Sequence, residues 1–177
     1  MRNMDRTKKH LPNAITLTNM SFGVLSILYS FYGNLNNAIY LILVASMLDR
    51  MDGMAARKFN TCSEIGIQLD SLADLVSFVL APALLVFIFE FSPLSGIALI
   101  SMAFATVLYV LCGGYRLARF NCTGVIGGNF SGIPTTVCGM FVAATMMFSR
   151  RLPFYVYGLL LVICAFMMVS RLQIRKR

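Results

Sequence analysis

Charge is what this sequence has least of. Only 12% of its 177 residues are Asp, Glu, Lys or Arg, and just seven are acidic. A soluble domain carries about 25% charged residues, so an ordinary water-exposed globule is excluded. Histidine is nearly absent: His10 stands alone near the N-terminus with no partner visible in the sequence, which leaves imidazole chemistry without a second member. The five cysteines (Cys62, Cys112, Cys122, Cys138, Cys164) form no C-x-x-C pair. They read as small apolar fillers, and no disulfide framework is expected. Internal repeats and low-complexity tracts are missing too, and the length fits one unit, residues 1–177.

What the sequence does have is long apolar runs. Hydrophobic residues make up 58% of it, and the mean hydropathy is +0.77. A bilayer-spanning helix needs roughly 20 apolar residues, and six segments qualify as expected spans after a basic tail over 1–11. They lie at about 13–32, 36–58, 64–90, 95–119, 131–149 and 153–171, with ends uncertain by about two to four residues. Continuous runs, not alternating ones, favour helices over a β-barrel. The fold class expected is therefore an all-α integral membrane protein with six transmembrane helices. The first segment is not a cleaved leader on this reading, because Asn13, Thr16, Thr18 and Asn19 interrupt it and no small-residue cleavage pattern follows. With the N-terminus in the cytoplasm, thirteen of the fifteen Lys and Arg residues fall on the cytoplasmic side, leaving only Arg150 and Arg151 opposite. That sets an N-in, C-in topology in the cell membrane. The net charge of +8 is then orientation signal and attraction to anionic lipid, with no nucleic-acid partner expected.

Five of the seven acidic residues are crowded between positions 49 and 74, and four of them are Asp inside segments that otherwise read as membrane helix. A carboxylate near a membrane core costs at least a few kcal/mol, so such residues normally face a cavity and have a function. Salt bridges to Arg50, Arg57 and Lys58 would satisfy one or two but do not account for the spacing. Asp49 and Asp52 are three apart, while Asp70 and Asp74 are four apart, so each pair shares a face of its helix. A short connection near 59–63 makes the two helices antiparallel neighbours, which lets the faces converge at their cytoplasmic ends. Four oxygen donors without imidazole or thiolate suit Mg²⁺, Mn²⁺ or Ca²⁺. Gly53, Ala56 and Gly66 continue the same faces, where a small side chain admits a ligand or permits close helix packing. Arg57 ends its helix beside the pocket, either snorkelling or holding a phosphate oxygen with its guanidinium fork.

The run Asp49-x2-Asp52-Gly53-x2-Ala56-Arg57-x8-Gly66-x3-Asp70-x3-Asp74 resembles, without departure, the signature of the CDP-alcohol phosphatidyltransferase family. The resemblance implies two divalent cations, Mg²⁺ or Mn²⁺, held by Asp49, Asp52, Asp70 and Asp74, with Asp74 also the base for the attacking alcohol. It further implies a CDP-lipid donor contacted by Gly53, Ala56, Arg57, Ser63 and Gly66, with Pro12, Asn13 and Thr16 near the nucleotide, and a tendency to form homodimers. Phosphoryl transfer needs mainly positioning and charge neutralisation, and an alcohol of high pKa needs help to attack.

The signature says little about which alcohol. Arg116 and Arg119 are three apart and share a face at the cytoplasmic end of the fourth helix. They serve either as positive-inside anchors or as a pocket for an anionic acceptor. The string Arg116-Leu-Ala-Arg-Phe-Asn121, then Phe130-Ser-Gly-Ile-Pro134, resembles the bacterial-type branch of the family that uses CDP-diacylglycerol and L-serine. That likeness places Arg116, Arg119 and Asn121 near the serine and implies phosphatidylserine and CMP as products. Pro134 is expected mainly to open the fifth helix. Glycerol 3-phosphate, giving phosphatidylglycerophosphate, is the alternative acceptor within the family. A divalent-cation transporter is the distant alternative, since beyond Asp74 the third helix offers Ser77 and then mostly apolar residues up to Glu90.

Overall fold

The computed structural model describes residues 2–59, 64–123, 129–170 and 173–175. Only the backbone is described at 2–12, 51–59, 64, 123, 129–131, 150 and 173–175. Six long helical stretches account for most of the described residues. Helix α1 runs Arg2–Phe31 and α2 runs Leu35–Phe59. Between them Gly33 takes φ 74°, a left-handed bend that favours glycine, and the Asn34 side chain accepts the Asn37 N–H at 3.2 Å to cap α2. The two helices form a hairpin, stitched by the buried Ser26 hydroxyl donating to the Ala38 carbonyl at 2.8 Å.

Helix α3, 64–91, is continuous but not uniform. It is α-helical over Glu64–Asp74 and Ala81–Val86, and π-helical over Leu75–Leu80 and Phe87–Phe91. Helix α4 spans Gly96–Thr123, α5 Thr135–Met146 and α6 Phe154–Val169, with a 3₁₀ turn at Ser149–Arg151 between the last two. Two short strands, β1 (Asn129–Ser131) and β2 (Gln173–Arg175), pair antiparallel with Phe130 opposite Ile174.

Helix α3 is the axis of the bundle. Its Phe78, Val79, Leu85, Val86 and Phe91 are fully buried, against Ile42 of α2, Tyr109 of α4, Val142 and Met146 of α5 and Leu161 of α6. On the outside, Ile97, Ile100, Phe104, Val107 and Leu111 stand exposed along one face of α4. An apolar outer stripe at helical spacing is the pattern of a lipid-facing surface, since a water-facing helix is polar there.

The all-helical expectation holds, with the β1–β2 ribbon as a small addition. Other boundaries shift. Residues 2–11, expected as a tail, continue α1. The fifth helix begins at Thr135 instead of 131, because Gly132 adopts φ +80° and Pro134 sits at the N-cap with extended backbone (ψ 139°). It ends at Met146, where the chain turns into the 3₁₀ segment. Among the described residues three helical stretches, Asn13–Phe31, Ile65–Phe91 and Gly96–Cys122, are long and apolar enough to cross a membrane, while Thr135–Met146 and Phe154–Val169 are apolar but shorter. Helix α2 has 25 residues, but its second half carries Asp49, Arg50, Asp52, Arg57 and Lys58.

Candidate active site

Helices α2 and α3 bring three carboxylates to one point, while the short connection expected near 59–63 lies largely outside the described residues. Asp49 of α2 and Asp70 and Asp74 of α3 each offer an oxygen, and these atoms lie within 4.8 Å of one another. Asp49 and Asp74 are half-buried and Asp70 is exposed. Asp52 follows Asp49 by three residues on the same helix, although its side chain lies outside the described atoms, as do those of Gly53, Ala56, Arg57 and Pro12. Ser63 lies outside the described residues altogether. Gly66 is half-buried on α3, one turn before Asp70, while on α1 Asn13 is half-buried and Thr16 is 5% exposed.

The neighbours of the carboxylates arrange them and leave capacity. The Thr136 hydroxyl, on the first turn of α5, donates to Asp49 Oδ2 at 3.3 Å. Asp74 Oδ1 is buried and has no hydrogen-bond partner among the described atoms. Carboxylates this close repel one another unless a cation lies among them, and an orphaned buried oxygen calls for a partner. The donor set is carboxylate oxygen throughout, which fits a hard divalent cation of the Mg²⁺ or Mn²⁺ kind.

Beside the cluster opens a cavity of about 440 Å³, lined by Asp70, Ser71 and Asp74 of α3, Arg116 and Asn121 of α4, and Thr135 and Thr136 of α5, among others. Arg116 is only 8% exposed. One of its terminal nitrogens donates to the Thr135 hydroxyl at 3.4 Å, while its Nε is buried without a partner among the described atoms. A buried guanidinium with an unused donor is a strong recognition point for an anionic oxygen. The mouth of the cavity is braced by a side-chain relay in which Ser71 donates to Asn121 Oδ1 at 3.0 Å and Asn121 Nδ2 donates to Gln68 Oε1 at 3.2 Å.

The two arginines therefore part company. Arg116 faces the cavity, whereas Arg119 donates to the Val169 carbonyl at 3.2 Å and closes the last turn of α6, where a cation complements the helix dipole. Gln68, Ser71, Thr135 and Thr136 were not singled out by sequence. Their only signal is placement, since Gln68 and Ser71 flank Asp70 and the two threonines follow Pro134 at a helix start.

Fold and site together define a class: a helical membrane protein with a carboxylate centre opening on an arginine-lined cavity. Residues 9–170 match the family model for CDP-alcohol phosphatidyltransferase, and the chain belongs to that family. It is 37% identical over 135 residues to the CDP-diacylglycerol–serine O-phosphatidyltransferase of Bacillus subtilis, covering 74% of this chain and 72% of that protein. It is 36% identical over 140 residues to the archaetidylserine synthase of Methanothermobacter thermautotrophicus, covering 76% of this chain and 56% of the relative. A CDP-diacylglycerol–serine O-phosphatidyltransferase of Methanocaldococcus jannaschii is 40% identical over 121 residues, 68% of this chain and 52% of its own length. The match thus spans little more than half of each of the two methanogen relatives.

Proposed function

We propose that this protein transfers the phosphatidyl group of CDP-diacylglycerol to L-serine, forming phosphatidylserine and releasing CMP. The observation that carries the reading is one cavity in which two carboxylates, Asp70 and Asp74, face a buried guanidinium, Arg116. The first group fits a cation-bound pyrophosphate and the second an anionic acceptor, in one shared space.

In this reading Asp49, Asp52, Asp70 and Asp74 hold two divalent cations, Mg²⁺ or Mn²⁺, and Asp74 has the second task of accepting the alcohol's proton. When bound, such cations neutralise charge on the phosphate oxygens. Gly53, Ala56, Arg57, Ser63 and Gly66, with Pro12, Asn13 and Thr16 on α1, form the donor side. Arg116 takes the serine carboxylate and Asn121 steadies the rim, while Arg119 acts through α6. The serine hydroxyl oxygen bonds to the lipid-bearing phosphorus as the bond from that phosphorus to the CMP oxygen breaks, and the proton passes to Asp74. The names of the relatives support serine more firmly than any lipid tail, because their lipid parts differ. The one-sided basic residues support an N-in, C-in arrangement with the site on the cytoplasmic face, the six apolar helical stretches are read as six crossings of the cell membrane, and family resemblance alone suggests a homodimer.

Purified protein supplied with CDP-diacylglycerol and Mn²⁺ is expected to release CMP with L-serine and not with glycerol 3-phosphate, inositol or inositol phosphate. Release with glycerol 3-phosphate but not serine overturns the acceptor assignment and leaves the family chemistry standing.

A further inference from the structure

A proline inside a helix withholds the N–H that would serve the carbonyl four residues earlier, and its ring presses on that same carbonyl. In α3 the proline is Pro82 and the carbonyl belongs to Phe78. Just ahead of the proline the helix widens: Leu75–Leu80 is π-helical, and the Ala81 N–H reaches back five residues to the Val76 carbonyl. The Phe78 carbonyl accepts instead from the Tyr109 hydroxyl of α4 at 3.1 Å. Both residues are fully buried. A side chain from a neighbouring helix thus provides the donor that Pro82 lacks, which is how interrupted membrane helices recover their backbone bonds.

The wide turn begins at the residue after Asp74, so it governs the bearing of the carboxylates. One extra residue in a turn rotates the helix before it by about 100° relative to the helix beyond it. Neighbouring helices close tightly on the same turn. A Cβ at Gly139 of α5 would lie 2.5 Å from the Phe78 oxygen, one at Gly23 of α1 2.8 Å from Ser77 Cα, and one at Gly113 of α4 2.7 Å from a Val79 methyl. The Ser77 hydroxyl also donates to the Asn19 carbonyl at 3.1 Å. π-Helical turns inside α-helices occur frequently at functional sites.

We propose that Pro82 and Tyr109 are positioning residues for the carboxylate centre: together they fix the π-helical turn that aims Asp70 and Asp74 at Asp49. Neither touches substrate. The inference rests on reading those carboxylates as cation ligands, and it extends the site by a second layer that acts through backbone geometry.

The test compares full-length wild type, P82A, Y109F and the double variant in detergent. Mn²⁺ affinity is read from the EPR signal of free Mn²⁺, alongside CMP release and the thermal midpoint. P82A restores a backbone N–H opposite the Phe78 carbonyl and so favours a regular helix. It is expected to keep or raise the midpoint while weakening Mn²⁺ binding about ten-fold or more, the scale seen when residues behind a metal ligand are lost, with kcat falling in step. Y109F is expected to lower the midpoint and weaken Mn²⁺ binding while still unfolding cooperatively. Added to P82A, it should lower the midpoint far less than it does alone, because the carbonyl already has a donor. P82A with wild-type Mn²⁺ affinity and turnover overturns the inference alone, as does Y109F lowering the midpoint equally in both backgrounds. A wild-type protein that binds no Mn²⁺ overturns the metal reading and this inference with it.

Discussion

Asp74 differs from Asp49 and Asp70 in having a buried oxygen with no protein partner among the described atoms. A group so placed is available both to a cation and to an incoming proton. Asp74→Asn is expected to leave a folded protein that still binds a divalent cation through Asp49 and Asp70. CMP release should fall by about 10²–10⁴-fold, the usual worth of a positioned base. Full activity in that variant sinks the assignment. Arg116 makes a different prediction. Replacing it with Gln removes a charge-assisted bond of about 1.5–3 kcal/mol, so the KM for serine should rise about ten- to hundred-fold with little change for CDP-diacylglycerol. An unchanged serine KM would exclude Arg116 from the acceptor. The pairing of Asp70 with Asp74 was legible because a four-residue spacing on a helix is a statement about one face. Arg119 was not, because whether a guanidinium three residues from Arg116 meets the cavity or the end of α6 depends on where α6 packs.

At the scale of the element, α3 carries most of the information. Its apolar run announced a helix, but the same run hid the two π-helical segments, since one extra residue per turn leaves no mark in composition. Pro82 was the available sign, a proline in the middle of a span. The packing against this helix has a measurable consequence. Gly139 of α5 sits where a methyl group would meet the Phe78 backbone, which cannot give way as a flexible side chain would. Gly139→Ala is therefore expected to cost about 1–3 kcal/mol, read as a lower thermal midpoint with a matching loss of folded protein. A midpoint equal to wild type would show that α5 can retreat from α3. The start of α5 was expected four residues too early, because apolar content reports a run and not the left-handed φ of Gly132 that breaks it.

Taken whole, the molecule divides its labour between two separate stretches of the chain. The signature carboxylates, from Asp49 to Asp74, belong to α2 and α3, while Arg116, Thr135 and Thr136 come from the helices after them. EDTA is expected to abolish CMP release and added Mg²⁺ or Mn²⁺ to restore it. Turnover that persists without divalent cations would refute the carboxylate mechanism. That Asp49 meets Asp70 and Asp74 was legible from local spacing, whereas the cavity was not, since it exists only where α3, α4 and α5 meet. The β1–β2 ribbon adds a matter of timing. Strand β1 leads into α5, yet its partner β2 lies at Gln173–Arg175, and the Ile133 N–H is bonded to the Met167 carbonyl. During synthesis the carboxylates can assemble early, whereas the bonds that pin the lead-in to α5, from Ile133 to Met167 and from β1 to β2, wait until residues 167–175 have been made. A nascent chain would thus hold its acids in place before the approach to the Thr135–Thr136 wall is pinned, and that approach is the last piece to be secured.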